Sequence, residues 1–381
     1  MAALAVGGNL YFADEGIYLD TARRILDGDG FGAGYDRVPA YPVFLGLLAA
    51  SLPDDLTVLR TAQAAVAAVG TVLVFLAADR IFGRHAAIAA GAVYALDPLL
   101  VISAGLFYPE AVAALLLPVI VLFAVEASAR DRLAASALAG ALLGLLALFR
   151  PVALILPPIT GCWIALTLPR GAGRRLAHVG VLALACLTVL IPWTVRNFRV
   201  HGGLVPVATA GRPMAPGGQS EQPSGVLEGM ARGIWSDPAS FLSRTASQFV
   251  QFWELAPTRL ATDDPATRQE LQKRDPRLPS EPLFSRGLRD LVSAATFGLE
   301  IFLALVGLAV VARTRWRQAA LPVALILAYA LGYAMLVAKL RYRIPVLPLV
   351  FLFTGAGMAT VYAFARQMAD TLVKRQQQPG Q

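Results

Sequence analysis

Long apolar runs separated by short polar connections dominate the chain. About nine runs come near the ~20 residues that a bilayer-spanning helix requires: residues 57–78, 86–107, 110–126, 133–149, 151–168, 176–195, 289–312, 318–337 and 344–365. Pro98, Pro118 and Pro192 interrupt three of them, which neighbouring helices in a membrane bundle accommodate. The pattern predicts an all-α, polytopic transmembrane helix bundle. Ahead of the first run the periodicity changes. Residues 14–27 (DEGIYLDTARRILD) place Ile17, Tyr18, Ala22, Ile25 and Leu26 on one helical face, and DGDG at 27–30 stops the helix. A turn rich in Tyr and Pro (YDRVPAYP, 35–42) then leads into a short apolar helix near 43–52, so this whole stretch reads as interfacial. Between the sixth and seventh runs lies a polar segment, 196–285, with a glycine-rich loop at 201–218 and a helix predicted over 238–254.

The expected organisation is an N-terminal interfacial segment (1–56), a first group of about six spans (57–195), one large loop region (196–285), about three further spans (286–365) and a tail (366–381). No internal repeat is evident. Residues 1–12 are apolar yet too short to span and lack a basic n-region. The expectation is that a first membrane helix is missing, through a start codon assigned late.

Composition supports the membrane reading. Hydrophobic residues make up 57% of the 381 positions and charged ones 15%, against roughly 25% charge in a soluble domain; the mean hydropathy is +0.61. A net charge of +8 would suit nucleic acid, but the basic residues fall in short clusters between apolar runs. That distribution is topogenic, and nucleic-acid binding is set aside. Arg80 and Arg84, Arg130 and Arg132, Arg170, Arg174 and Arg175, Arg313, Arg315 and Arg317, and Arg366, Lys374 and Arg375 fall on alternate connections and the C-terminal tail. The positive-inside rule places these in the cytoplasm of a plasma (inner) membrane. Residues 1–56 and 196–285 then lie outside. Cys162 and Cys186 sit in apolar runs, so no disulfide framework is expected. His85, His178 and His201 do not cluster and no metal-ligand spacing occurs.

The chemistry-bearing groups gather on the outer side. Asp14–Glu15 is either an acidic first turn of a helix or a general base whose pKa is raised by like charge and partial desolvation. Asp36–Arg37 is either an interfacial pair or a source of anion binding. Lys339, Arg341 and Arg343 in AKLRYRIP oppose the orientation rule, as snorkelling lipid anchors or as a phosphate site. Glu110 (FYPE, 107–110) opens the third span, where a helix N-terminus welcomes a carboxylate in any case, and Arg150 is a lone cation in another outer connection. Asp97 and Glu300 lie inside spans, where charge is costly. Asp97 precedes Pro98 and suits capping of freed backbone; Glu300 has no evident partner. No Walker loop, GxSxG elbow or Rossmann fingerprint is present.

These stretches, in order, resemble the GT-C membrane glycosyltransferases, in the bacterial branch related to protein O-mannosyltransferases and lipid A aminoarabinose transferases. The resemblance is carried by DEGIYLDTARRILDGDGF (14–31), RVPAYPVFLGLL (37–48), DPLLVISAGLFYPEAV (97–112), GLLALFRPVALILPP (144–158), PWTVRNFRVHGGLVPVATAG (192–211, with Arg196) and KLRYRIPVLPLVFLFTGAG (339–357). It implies a polyprenyl-phosphate-linked sugar donor, a lipid, glycan or protein acceptor, and inverting transfer to a hydroxyl outside the cytoplasm. Asp14 would be the catalytic carboxylate, beside Glu15. Arg37, Lys339, Arg341, Tyr342 and Arg343 would contact the donor phosphate. Asp36, Glu110, Arg150 and Arg196 are further candidates. No cofactor is required, although a divalent metal stays open. Three features depart from the family: Gly16–Ile17 stands where some relatives carry an Arg, the usual first span is absent, and Arg212 replaces a frequent second Gly. A flippase of lipid-linked saccharides or a surface-polysaccharide polymerase or ligase would use many of the same groups.

Overall fold

The computed structural model describes residues 9–32, 35, 37–208, 235–256, 264–278 and 285–376. Asp36 and Arg212 lie outside the described residues, as does most of the glycine-rich loop. Among the described residues the regular structure is entirely helical.

Helix α1 (Ala13–Leu26) begins and ends close to its predicted bounds, and the DGDG run that follows it holds Gly28 and Gly30 at φ 87° and 62°. Its buried face differs from the expected one. Glu15, Gly16, Tyr18, Leu19 and Ala22 face the protein, whereas Ile17 and Leu26 are 41% and 45% exposed. Apolarity alone had selected the stripe. The protein core instead claims Glu15 as a hydrogen-bonded group, which rotates Ile17 and Leu26 outward. Helix α2 (Ala40–Ser51) follows the Tyr/Pro turn and packs on α1.

The bundle comprises α3 (Leu56–Phe82), α4 (Arg84–Leu96), α5 (Pro98–Ala104), α6 (Pro109–Ala113), α7 (Leu116–Arg130), α8 (Leu133–Phe149), α9 (Leu156–Thr167) and α10 (Ala172–His201). Within the large polar segment lie α11 (Pro238–Phe252) and α12 (Pro265–Arg274), and after it come α13 (Arg286–Thr314), α14 (Trp316–Met335) and α15 (Leu347–Gln376). Each predicted apolar run falls on a helix or a pair of helices. Among the described residues, six helical segments are long and apolar enough to cross a membrane, or seven if the bent pair α4–α5 is one span. Helix α8 and the stretch Pro151–Thr167 are shorter; the 17 residues of α8 extend about 26 Å.

The 55° bend between α4 and α5 falls at Asp97–Pro98. Pro98 contributes no backbone donor, and the Asp97 carboxylate accepts the Leu100 N–H at 2.7 Å, so the freed backbone is satisfied locally as its sequence context suggested. Elsewhere the bundle is close-packed through small residues. A Cβ on Gly307 would strike the Phe353 carbonyl, and one on Gly357 would strike the Leu303 carbonyl. The two glycines therefore set the approach of α13 and α15 reciprocally.

Charge is distributed unequally between the bundle ends. Arg60 and Arg80 are both on α3, about 30 Å apart along its axis. Arg60 meets α1, whereas Arg80, Arg130 and Arg132 surround Glu126 at the other end. Basic groups also converge on the loop residue Asp131, which pairs with Arg170 (2.9 Å), Arg174 (2.6 Å) and His178 (2.9 Å). Those guanidinium hydrogen bonds hold the Asp131 carboxyl far below its ordinary range.

Candidate active site

The two members of the acidic pair point in different directions. Glu15 is fully buried and its four acceptor positions are filled. One oxygen takes the Tyr11 and Phe12 N–H groups (2.8 and 3.0 Å), the other Arg60 Nη1 and the Phe107 N–H (2.9 Å each). Arg60 is itself fully buried over the Phe107 ring and donates to the Gly105 and Asn9 carbonyls at 2.5 Å. This ion pair ties the start of α1 to α3 and to the α5–α6 turn. Sequence reading passed over Arg60; the available signal was an arginine inside an otherwise apolar span.

Asp14, one residue earlier, faces the other way and is about one third exposed. One oxygen meets Arg37 Nη2 at 3.2 Å and the other Arg341 Nη2 at 3.0 Å. The bundle thus joins groups 23 and 327 residues apart in sequence. Burial pushes the Asp14 pKa upward, but the Arg341 and Arg37 contacts outweigh it and hold the carboxyl below its usual range. The expectation of a raised pKa is corrected here: the bulk of the local charge is positive. Its neighbour Glu15 is screened by Arg60.

Aromatic rings position both guanidiniums. Arg37 lies 5.6 Å from the Tyr18 ring centre, and Arg341 lies over Tyr108 at 4.4 Å and Tyr342 at 5.5 Å. Tyr342 stacks on Tyr333 at 4.5 Å. Glu110 is buried against Arg150, with Arg341 Nε at 3.5 Å from the same carboxylate oxygen. Asp14, Arg37, Glu110, Arg150 and Arg341 therefore form one continuous network. Three guanidiniums against two carboxylates leave one positive charge in excess.

Three candidates are placed elsewhere. Lys339 is exposed at the start of the 3₁₀ segment Leu340–Val346. Arg343, two residues beyond Arg341, turns into the bundle, where its guanidinium lies 3.7 Å from the Phe297 ring centre and donates to the Glu254 carbonyl at 2.5 Å. A 3₁₀ helix rotates about 120° per residue, so positions 341 and 343 leave it in different directions. Arg196 donates to the Gly32 and Tyr35 carbonyls (2.7 and 3.1 Å) and lies over Trp193, so it clamps the loop after α1. Another arginine unmarked by sequence, Arg277, spans Asp20 and Asp275 and its carbonyl accepts the Leu10 N–H. It fastens the segment after α12 onto α1. Among the described residues no group of three His, Cys, Asp or Glu side chains converges.

Comparison with known proteins agrees with this architecture. Over 93% of the chain, the fold superposes on ArnT from Cupriavidus metallidurans bound to undecaprenyl phosphate, with a TM-score of 0.59 and 15% identity. The fold is GT-C. Residues 36–195 also match the family model described as dolichyl-phosphate-mannose-protein mannosyltransferase, a region that holds Arg37, Glu110 and Arg150. The resemblance read from the sequence is thereby borne out. The chain spans 57% of the length of that ArnT structure. The oligosaccharyltransferase AglB from Archaeoglobus fulgidus, in complex with an inhibitory peptide and a dolichol-phosphate, gives a TM-score of 0.48 at 14% identity, over 96% of this chain and 48% of that one. No curated protein matches the chain by sequence.

Proposed function

We propose that the protein is an integral membrane glycosyltransferase that moves a sugar from a polyprenyl-phosphate donor to an acceptor hydroxyl on the extracytoplasmic side, with inversion. The observation that carries this reading is the Asp14 carboxylate held between Arg37 and Arg341 at 3.2 and 3.0 Å. The side follows from charge: the basic end of α3, α7 and the α9–α10 connection is cytoplasmic by the positive-inside rule, so the Asp14 end is not.

The single excess positive charge of the network suits a phosphodiester, which brings one negative charge. Bound between Arg37 and Arg341, the donor phosphate competes with Asp14 for the same guanidinium N–H groups. Asp14 is then released from the contacts that depress its pKa, and partial burial makes it a better base as the donor arrives. The acceptor oxygen attacks the anomeric carbon, its proton passes to Asp14, and the bond from that carbon to the phosphate oxygen breaks with its electrons retained by the phosphate. The growing negative charge falls on Arg37 and Arg341. Preorganised cations at such a site are worth several kcal/mol, and a general base contributes about 10²–10⁴-fold. Glu15 holds the start of α1 so that Asp14 is aimed correctly; Glu110 and Arg150 keep Arg341 over its aromatic floor. The grooves between spans accept the prenyl chain, and the large loop region between α10 and α13 selects the acceptor.

Purified protein reconstituted with a polyprenyl-phosphate sugar and candidate lipid, glycan or peptide acceptors tests the proposal. A glycosylated product of inverted anomeric configuration supports it. Movement of the lipid-linked sugar across the bilayer without any product would make the protein a flippase instead.

A further inference from the structure

Helix α11 belongs to the large loop region, yet its contacts reach the turn that carries Arg341. Its buried face (Phe241, Thr245 and Phe252) is presented by a helix that packs on α14 and on the 3₁₀ segment Leu340–Val346. Three ties join the two. Ala338, in the connection between α14 and the 3₁₀ segment, is 4% exposed, so its backbone N–H needs a partner within the protein. Gln248 Oε1 on α11 accepts that N–H at 2.7 Å. On the other side of Arg341, the Arg343 guanidinium donates to the Glu254 carbonyl just after α11, at 2.5 Å. Phe252 stacks on Tyr333 at 6.4 Å and Tyr333 on Tyr342 at 4.5 Å, and the Tyr342 ring lies 5.5 Å from the Arg341 guanidinium. The end of α11 is itself held by α13: the Trp253 and Phe297 rings lie parallel at 6.4 Å, and Ser293 Oγ donates to the Leu255 carbonyl at 2.7 Å. The backbone is therefore tied at positions 338 and 343, on either side of Arg341. A short 3₁₀ segment has poorly aligned hydrogen bonds of its own, so its orientation depends on such external ties.

We propose that α11 is a strap on the donor turn and that Gln248 is a positioning residue: its side-chain carbonyl fixes Ala338 and so keeps Arg341 over Tyr108, directed at Asp14 and at the donor phosphate. The part concerning the donor rests on the function proposed above; the strap itself does not. Arg341 sits at the end of a long side chain, and its 3.0 Å contact with Asp14 tolerates only a few tenths of an ångström before it weakens. A small displacement of the backbone at its root is enough to spoil that aim.

Hydrogen exchange without substrate tests the strap. Gln248→Met keeps the length of the side chain and removes its carbonyl, so exchange at the Ala338 amide should rise about five- to a hundredfold, as an unmet buried donor implies. Gln248→Glu, which retains an acceptor, should restore protection to within about threefold of wild type. Unchanged protection of Ala338 in Gln248→Met overturns the strap. Binding of undecaprenyl phosphate, followed by native mass spectrometry, tests the positioning through a double-mutant cycle. Gln248→Met should weaken binding about three- to tenfold when Arg341 is present and have no further effect in the Arg341→Ala background. In transfer assays the Gln248→Met defect should fall on the KM for donor and not on kcat. Equal losses in both backgrounds, or wild-type binding by Gln248→Met, overturn the positioning role. If Arg341→Ala itself binds the lipid phosphate as the wild type does, the donor reading of Arg341 fails, and Ala338 exchange still decides the strap. Gln248→Ala repeats the series; if neither variant folds, Gln248 serves stability and the positioning role is overturned.

Discussion

Glu15→Gln exchanges one carboxylate oxygen for an NH₂ group with almost no change in shape, at a position where four donors converge. Tyr11 and Phe12 present backbone N–H groups to one oxygen, Arg60 and the Phe107 N–H to the other. Whichever way the amide turns, its NH₂ meets two donors and two hydrogen bonds are lost. Arg60, fully buried, also loses its counter-charge. Breaking a buried pair by removing one partner costs about 3–5 kcal/mol, and the lost bonds are part of that figure. The damage is local to the start of α1, the α5–α6 turn and the Arg60 end of α3. Hydrogen exchange should read it directly: at roughly 1.4 kcal/mol per tenfold, protection of the Tyr11, Phe12 and Phe107 amides should fall by about a hundred- to a few-thousandfold. Thermal stability in detergent should drop with it, and activity should follow stability. Amide protection and melting temperature indistinguishable from wild type would refute the view that Glu15 serves to hold the helix.

Other consequences concern the arginines and the loop. Arg341→Ala should weaken donor use by tenfold or more, consistent with about 1.5–3 kcal/mol for a hydrogen bond to a charged group, and leave the KM for acceptor nearly unchanged; steady-state kinetics in both substrates decides, and a pure acceptor defect contradicts the phosphate role. Because Arg341 and Arg37 depress the Asp14 pKa, the ion pairs contribute stability at neutral pH that is lost only as pH falls below the ordinary carboxylate value of about 3.9. The acid limb of kcat/KM should therefore lie below about pH 4 in the wild type and move upward in Arg341→Ala, measured over a pH series with stability monitored in parallel. Gly16→Ala would set a Cβ 2.7 Å from Arg277 Nη2, so it should free the segment after α12 and raise its proteolytic cleavage rate while lipid-phosphate binding persists.

The helices were legible because apolar runs of membrane length leave the backbone no alternative but internal hydrogen bonding. The stop after α1 was legible from DGDG, and the bend of α4–α5 from Asp97–Pro98. Asp14, Arg37 and Arg341 were recognised as a set through the order of their motifs, and the fold brings all three into direct contact. What escaped the sequence depends on tertiary placement. Nothing local to Arg60 or Arg277 tells which carboxylate each will meet. Arg341 and Arg343 read as one cluster along the chain; the 3₁₀ geometry of Leu340–Val346 divides them between two networks. The exposure of Ile17 and Leu26 has a similar origin, since burial of Glu15 by Arg60 outranks the apolar stripe in orienting α1.

Asp14→Asn in proteoliposomes probes the chemistry most directly. Its ion pairs are about one third exposed, so their loss costs little stability, and folding and undecaprenyl-phosphate binding by the variant serve as controls. With the folded variant still binding lipid phosphate, transfer from a polyprenyl-phosphate sugar should fall by about 10²–10⁴-fold. Turnover at the wild-type rate would contradict the assignment of Asp14 as the base.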